Sequence, residues 1–321
     1  MPHLIRKPRI NNPDLNICIP VYKRKKELVL LFDSIITSLN GINYNLYFLL
    51  NGPDGEVKDL VLKKLAKFEN TGVIYFEDNI GEDIFIWPLF NLPKGKFWII
   101  GDDDLLVNYS HKAILKSLKY DLTILNYDLY DHNLKNIVTS NYLGREFSQI
   151  SEIINNRILF HALGEKITFI SSVIINSEIL NKQNFKLAPK SFQFASLIYN
   201  ALESSTPEIK VFFEKNVSLK QRGNNILSED KHITDEIFIN DIRLFYLSML
   251  SKRAYMFSAF LKLLKSTFIN TPRLLLRSHL EGRHPSVKGF FLIDKLYLFT
   301  INIIIRCLPS KFYIFLKKHI K

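Results

Sequence analysis

The stretch Phe97-Trp98-Ile99-Ile100-Gly101-Asp102-Asp103-Asp104-Leu105-Leu106 decides how this chain is read. An apolar run ends in three adjacent carboxylates, and an apolar pair follows. Asp is depleted in strands, and three like charges in a row repel one another. One explanation is a helix N-terminus at a strand-to-helix turn, where Asp caps free N–H groups. The other is a divalent-cation site at the end of a buried strand. Mg²⁺ and Mn²⁺ take carboxylate oxygens and fill their remaining positions from water and substrate phosphate.

The sequence before this stretch separates the two. Residues 15–22 (LNICIPVY) read as a strand stopped by Pro20, and the basic cluster Lys23-Arg24-Lys25-Lys26 follows. Leu28, Leu31, Phe32, Ile35, Ile36 and Leu39 recur at helical spacing, and Asn40-Gly41 closes that helix. A strand over 44–50 ends at Asn51-Gly52-Pro53-Asp54-Gly55, and a helix over 57–68 follows. A strand over 73–76 ends at Glu77-Asp78-Asn79-Ile80-Gly81, and a short apolar element over 84–90 leads into the quoted stretch. A helix over 109–118 and a strand over 122–127 come after it.

This alternation predicts an α/β fold, a mainly parallel, Rossmann-like sheet with helices on both faces. In such sheets ligands bind at the carboxyl ends of the strands. The polar clusters at 22–26, 51–55, 77–81 and 102–104 all fall at those ends. Four clusters on one sheet edge are explained better by a shared ligand than by four separate helix caps.

Past residue 131 the pattern changes. It predicts a helix over 147–162, an apolar β-prone run over 167–175, a helix over 191–202 and a strand within 210–219. A polar loop over 216–225 carries Lys220 and Arg222, and helical patterns dominate from about 233. The expected organisation is one domain over 1–230 and a helical, basic C-terminal region over 231–321.

Composition agrees with a folded protein. The 321 residues are 47% hydrophobic and 23% charged, so a large core is available and compositional disorder is excluded. Cys18 and Cys307 have neither zinc spacing nor a disulfide framework and read as buried thiols in a reducing compartment. Residues 1–9 lack the apolar region of a secretory leader. No run of about 18 apolar residues appears, the nearest approach being 296–305.

The net charge of +12 is placed unevenly: residues 251–321 hold 14 Lys and Arg against Glu281 and Asp294, and the remainder is neutral. Phe257, Leu261, Leu264 and Phe268 fall on one helical face there, with Lys262, Lys265 and Arg273 elsewhere; residues 311–321 mix Phe, Ile and Leu with Lys in the same way. Basic and apolar together fit an anionic membrane surface and not nucleic acid. The expected location is cytoplasmic, peripheral on the inner face of the cytoplasmic membrane.

A Mn²⁺ or Mg²⁺ ion on the trio would bridge a diphosphate and neutralise the charge that develops as it leaves. Asn51 can hydrogen-bond a base or ribose, Tyr22 can stack, and Arg24 can meet phosphate. In order and spacing, these segments resemble a family 2 glycosyltransferase with the GT-A nucleotide-sugar-binding fold. Ile-Pro-Val-Tyr-Lys-Arg at 19–24 is similar to the family's IPxYNR strand end, with Lys23 in place of Asn. Asn51-Gly52 matches its DNGSxD turn and Asn79-Ile80-Gly81 its N-x-G turn. Residues 97–105 are similar to YxWxLxDDD, and 121–126 to DLIxxN. Within the family the chain looks closest to abequosyltransferase-like enzymes of bacterial surface polysaccharides.

The resemblance covers about residues 14–225. It implies a nucleoside diphosphate sugar donor and a glycan or lipid-linked glycan acceptor. It implies Asp104 as metal ligand, Asp102 on metal or ribose with Asp103 beside it, and donor contacts from Pro20, Tyr22, Arg24, Asn51, Asn79 and Arg222. Leu50 stands where the family has a base-binding Asp. Ser191-Phe192-Gln193-Phe194 stands where many members carry a Glu-Asp pair. Inverting transfer needs a general base, for which Glu165, Glu178 and His161 are the candidates, Glu165 first. Two other readings remain: a nucleotidyltransferase, disfavoured because residues 15–30 hold no glycine for a triphosphate loop, and a membrane-binding protein without catalysis.

Overall fold

The computed structural model describes residues 2–52, 54–107, 110–131, 133–144, 156–181, 190–204, 209–222, 240–280 and Tyr297. In chain order its first unit runs β1 (His3–Arg6), β2 (Leu15–Val21), α1 (Lys25–Ser38), β3 (Tyr44–Asn51), α2 (Gly55–Lys63), β4 (Thr71–Phe76), α3 (Asp83–Asn91) and β5 (Lys96–Ile99). It continues with β6 (Leu105–Leu106), α4 (Ser110–Ser117), β7 (Leu122–Tyr130), β8 (Ile137–Thr139), α5 (Asn156–Leu163), β9 (Val173–Asn176), α6 (Gln193–Ser204) and β10 (Val211–Arg222). The described strands form one ten-stranded sheet, β1-β4-β3-β2-β5-β9-β7-β10-β6, with β8 on β7.

Strands β4, β3, β2 and β5 are parallel neighbours, as the alternation of strands and helices predicts. β2 and β3 are buried along their whole lengths, the pattern of strands covered on both faces. Helix α1 buries Leu28, Leu31, Phe32 and Ile35, and Phe32 packs on Phe48 of β3. Gly41 takes the left-handed φ of +84° after α1, which glycine adopts without steric cost. The sheet changes direction at β5: β9 runs antiparallel between β5 and β7, and β10 returns parallel to β7. Cys18 is fully buried, and burial raises its thiol pKa. Cys307 lies outside the described residues.

Several boundaries differ from the sequence expectation. The β-prone run over 167–175 becomes a strand only over Val173–Asn176; before it come the 3₁₀ turns Gly164–Thr168 and Ile170–Ser172. Its pairing with β7 begins at Val173 opposite Ile124, and without a partner a β-prone segment has no reason to extend. The loop expected over 216–225 is strand as far as Arg222, because after two register shifts β7 pairs with Leu219, Lys220, Gln221 and Arg222 in turn, up to Tyr130. The helix expected over 147–162 is described only as Asn156–Leu163. The expected helix over 57–68 ends at Lys63, and a 3₁₀ turn follows.

The chain divides into two units, Met1–Lys186 with Gln193–Asn224, and Leu187–Phe192 with Asn225–Lys321. The described part of the second is helical: α7 (Ile242–Met249), α8 (Met256–Lys265), a π-helical turn Ser266–Asn270 and α9 (Thr271–Leu280). Its interior includes Arg243, whose Nε donates to Thr267 Oγ1 at 3.1 Å, and Phe245, stacked on Phe192. No helix of the described residues is long and apolar enough to cross a membrane.

Gly72 of β4 marks a tight approach within the first unit. A Cβ there would lie 2.8 Å from the Tyr47 ring and 2.9 Å from Pro8. We expect Gly72→Ala to destabilise the protein by about 1–3 kcal/mol through overpacking, read as a lower denaturant midpoint.

Candidate functional site

The site begins with a missing hydrogen bond. Along a strand, N–H groups alternate sides, so residue 20 would point its N–H the same way as residue 18, toward β5. β5 pairs with β2 only as far as Cys18, where the Ile100 N–H donates to the Cys18 carbonyl. Proline is therefore tolerated at position 20 of a central strand, because at that level β5 has already turned away. The space is taken by Gly101 and the three Asp residues.

These residues form a turn, closed by the Asp104 N–H donating to the Gly101 carbonyl at 3.2 Å. The chain then enters β6, which pairs with Leu219 and Lys220 of β10. A strand, not a helix, follows the trio, which removes the helix-cap explanation. A Cβ at Gly101, the first residue of the turn, would sit 3.0 Å from Asp104 Oδ2 and 3.1 Å from Asp103 Oδ1, so a larger residue would press on both carboxylates.

All three carboxylates are buried. Asp102 accepts from the Tyr22 N–H at 3.1 Å and from Arg24 at 2.8 Å; the same Arg24 nitrogen lies 2.9 Å from Asp103. Asp104 accepts from the Ser171 hydroxyl at 2.6 Å and, at 3.4 Å, from the Arg222 N–H. The Arg222 side chain donates to the Asp103 carbonyl at 3.3 Å and lies 3.6 Å from Glu27. Ser171 ties the turn to the sheet: its hydroxyl accepts from the Gly101 N–H at 2.8 Å and its carbonyl from the Trp98 indole at 2.7 Å.

The sequence candidates are thus partly gathered. Tyr22, Arg24, Asp102, Asp103, Asp104 and Arg222 meet in one cluster. Pro20 lies in β2 two residues before Tyr22, and Lys23 takes a left-handed φ of 60° that non-glycine residues rarely adopt. Asn51 joins the neighbouring strand ends, its Oδ1 accepting from the Ile80 N–H at 2.9 Å, and Asn79 Oδ1 closes a local turn by accepting from the Gly81 N–H at 2.8 Å. Asp54 caps α2 through the Val57 N–H.

Glu165 lies in the 3₁₀ turn Gly164–Thr168, eight residues before β9 begins at Val173. Glu178 sits at the wrong edge. Asn176 pairs with Lys96 at the start of β5, whereas the trio follows its end. His161 is an exposed residue of α5. Sequence reading missed Ser171 and Glu27. The Ser171-Ser172 pair breaking an apolar run was the available signal for the first; Glu27 adjoins the basic cluster and has no such mark.

Burial pushes the Asp102 carboxyl up to about 6; Arg24 opposes the rise and Asp103 adds to it. Burial also raises Asp103, against Arg24 and Arg222, and lifts Asp104 well above its usual value with Asp103 adding. Counted as ions, Asp102, Asp103, Asp104 and Glu27 face Arg24 and Arg222, so the cluster carries two negative charges in excess. Hard oxygen donors with a two-charge deficit fit a divalent cation. Among the described residues no group of three or more His, Cys, Asp or Glu is arranged to hold a metal ion, so a cation here would need further ligands from elsewhere, as Mg²⁺ takes from phosphate.

An acid whose folded pKa is raised binds protons more readily in the native state than in the unfolded chain. Between pH 3.8 and about 6 Asp102 therefore makes stability fall as pH rises. We expect the metal-free protein to lose on the order of 3 kcal/mol across that window from Asp102 alone, with Asp103 and Asp104 acting in the same direction. Asp102→Asn should flatten the slope, measured as denaturant midpoints in chelator.

No protein-family model matches the chain, and no curated protein matches its sequence. Solved structures share its fold. S. aureus TarS 1-349 superposes with a TM-score of 0.54 at 11% identity, covering 84% of this chain and 77% of that one. The longer S. aureus TarS structure gives 0.53 at 12% identity over 79% of this chain and 43% of that one. The mannosyltransferase PcManGT from Pyrobaculum calidifontis, in complex with GDP-Man and Mn²⁺, gives 0.53 at 9% identity over 97% and 86%. The fold of this chain is that of the GT-A glycosyltransferases.

Proposed function

We propose that this protein is a metal-dependent glycosyltransferase of the family 2 kind. It moves a hexosyl or deoxyhexosyl group from a nucleoside diphosphate sugar to a growing bacterial surface glycan, free or lipid-linked. It works at the inner face of the cytoplasmic membrane, in the manner of the abequosyltransferase-like enzymes. The observation that carries this reading is the buried trio at the end of β5, two negative charges in excess, beside the ends of β2, β3 and β4. The Mn²⁺ and GDP-Man bound to a protein of the same fold support the choice of cation and donor class.

In this reading Asp104 and Asp102 would hold a Mn²⁺ or Mg²⁺ ion, which when bound would supply neutralising charge for the departing nucleoside diphosphate. Ser171 fixes the rotamer of Asp104, so one carboxylate oxygen is oriented before the donor arrives. Arg24 bridges Asp102 and Asp103, offsetting their mutual repulsion, and in this reading would also meet donor phosphate. Tyr22, Asn51 and Asn79 line the base and ribose side at the neighbouring strand ends, and the Arg222 guanidinium faces the diphosphate. Glu165 takes the acceptor proton as attack inverts the sugar carbon.

The test is transfer or hydrolysis over a panel of nucleoside diphosphate sugars with Mn²⁺. Asp104→Ala is expected to lower kcat/KM at least about 100-fold, and an unchanged rate removes the metal role. Glu165→Gln is expected to lower kcat about 10²- to 10⁴-fold with donor KM kept, which separates a base from a fold contact. Pyrophosphate release from a nucleoside triphosphate would make the protein a nucleotidyltransferase instead.

A further inference from the structure

Helix α8 and the π-helical turn after it present an unusual surface. Met256, Phe257, Phe260, Leu261, Leu264, Phe268 and Ile269 are all exposed, Phe257 by 72%. Phe268 touches the Tyr297 ring and is still exposed on its other side. The opposite face of the same segment is buried through Ala259, Leu263, Ser266 and Thr267. The apolar stripe expected from the sequence therefore exists, and it points outward.

Single exposed apolar residues are ordinary, but a contiguous row marks a contact surface. Its charge setting selects the occupant. Between residues 252 and 280 the chain has six Lys and Arg and no Asp or Glu. Arg253 and Lys265 are exposed beside the stripe. A second copy would bring two such surfaces together and set like charges opposite one another. A nucleic-acid duplex would reward the cations but leave the Phe and Leu side chains in water. A bilayer with anionic headgroups satisfies both, with rings and aliphatic chains below the headgroups and cations at their level.

We infer that the face of α8 bearing Phe257, Phe260, Leu261, Leu264 and Phe268 is the segment by which this protein lies in an anionic lipid surface. This rests on the membrane-surface part of the proposed function and is independent of its sugar-transfer part.

The experiment is co-sedimentation of the full chain with phosphatidylcholine vesicles and with vesicles that also contain phosphatidylglycerol. Binding is expected only with phosphatidylglycerol, weakening as salt is raised. The double variant Phe257→Ser, Leu261→Ser, with an unchanged melting temperature, is expected to lower the vesicle partition coefficient at least about tenfold. In Phe257→Trp, brominated lipid is expected to quench the added indole.

No binding of the wild type to anionic vesicles overturns the inference and the membrane location together. Wild-type binding that the double variant retains, with no quenching in Phe257→Trp, overturns the assignment of the face alone. A wild-type dimer that the double variant dissociates overturns it in favour of a second copy. Donor binding is measured on the same samples, so failure of the transferase reading shows separately.

Discussion

Burying three consecutive carboxylates is the constraint on which this fold turns. A buried ionised group without partners costs several kcal/mol, and adjacent like charges add to that. The structure meets the cost from four directions. Arg24 comes from beyond the end of β2, Ser171 from the turn before β9, Arg222 from the end of β10, and the Tyr22 N–H from the turn after β2. These groups lie 67 to 118 residues from their Asp partners in sequence, so the cluster exists only when the sheet is complete. Raised pKa values at all three Asp residues show that the compensation is incomplete.

The topology explains why the cluster sits where it does. β4, β3, β2 and β5 end on one edge because they are parallel. β9 then runs against β5, so the chain approaches β9 from the trio's edge and delivers Ser171 there. β10 returns parallel to β7 and delivers Arg222 to the same edge. The reversal beside β5 is a topological switch point, the position at which open α/β sheets leave a crevice for ligand. Pro20 and Gly101 serve this arrangement locally: one gives up an N–H that would find no partner, the other leaves room for its neighbours' oxygens.

Much of this was legible in the sequence because the relevant signals are local. Buried parallel strands appear as apolar runs, α1 as a helical repeat, and the strand ends as polar clusters. The rest depends on remote partners. Lys220, Gln221 and Arg222 look like loop residues and become strand because Asp128, Leu129 and Tyr130 lie beside them. β6 has two residues, too few to show a period, yet it is what separates a metal-type turn from a helix cap. Glu178 flanks an apolar run just as Glu165 does, and only the antiparallel register of β9 puts it at the far edge. Asp54, four residues after Leu50, has its carboxylate engaged in capping α2, a role that emerges only once the helix is formed.

The two ends of the chain use charge in opposite ways. In the first unit charges are nearly balanced by sequence, and the trio's excess is held in a buried pocket where solvent ions screen it little. A general excess of positive charge there would attract any polyanion and offset the trio's demand for a cation. In the second unit Arg253 and Lys265 are exposed beside apolar side chains, and their charge acts within about a Debye length of the surface. Raising ionic strength therefore weakens the second effect far more than the first. Given the proposed cation site and the proposed lipid-binding face, concentrating the net +12 in residues 251–321 would let one chain hold a selective cation site and a non-selective affinity for anionic surfaces without either field overriding the other.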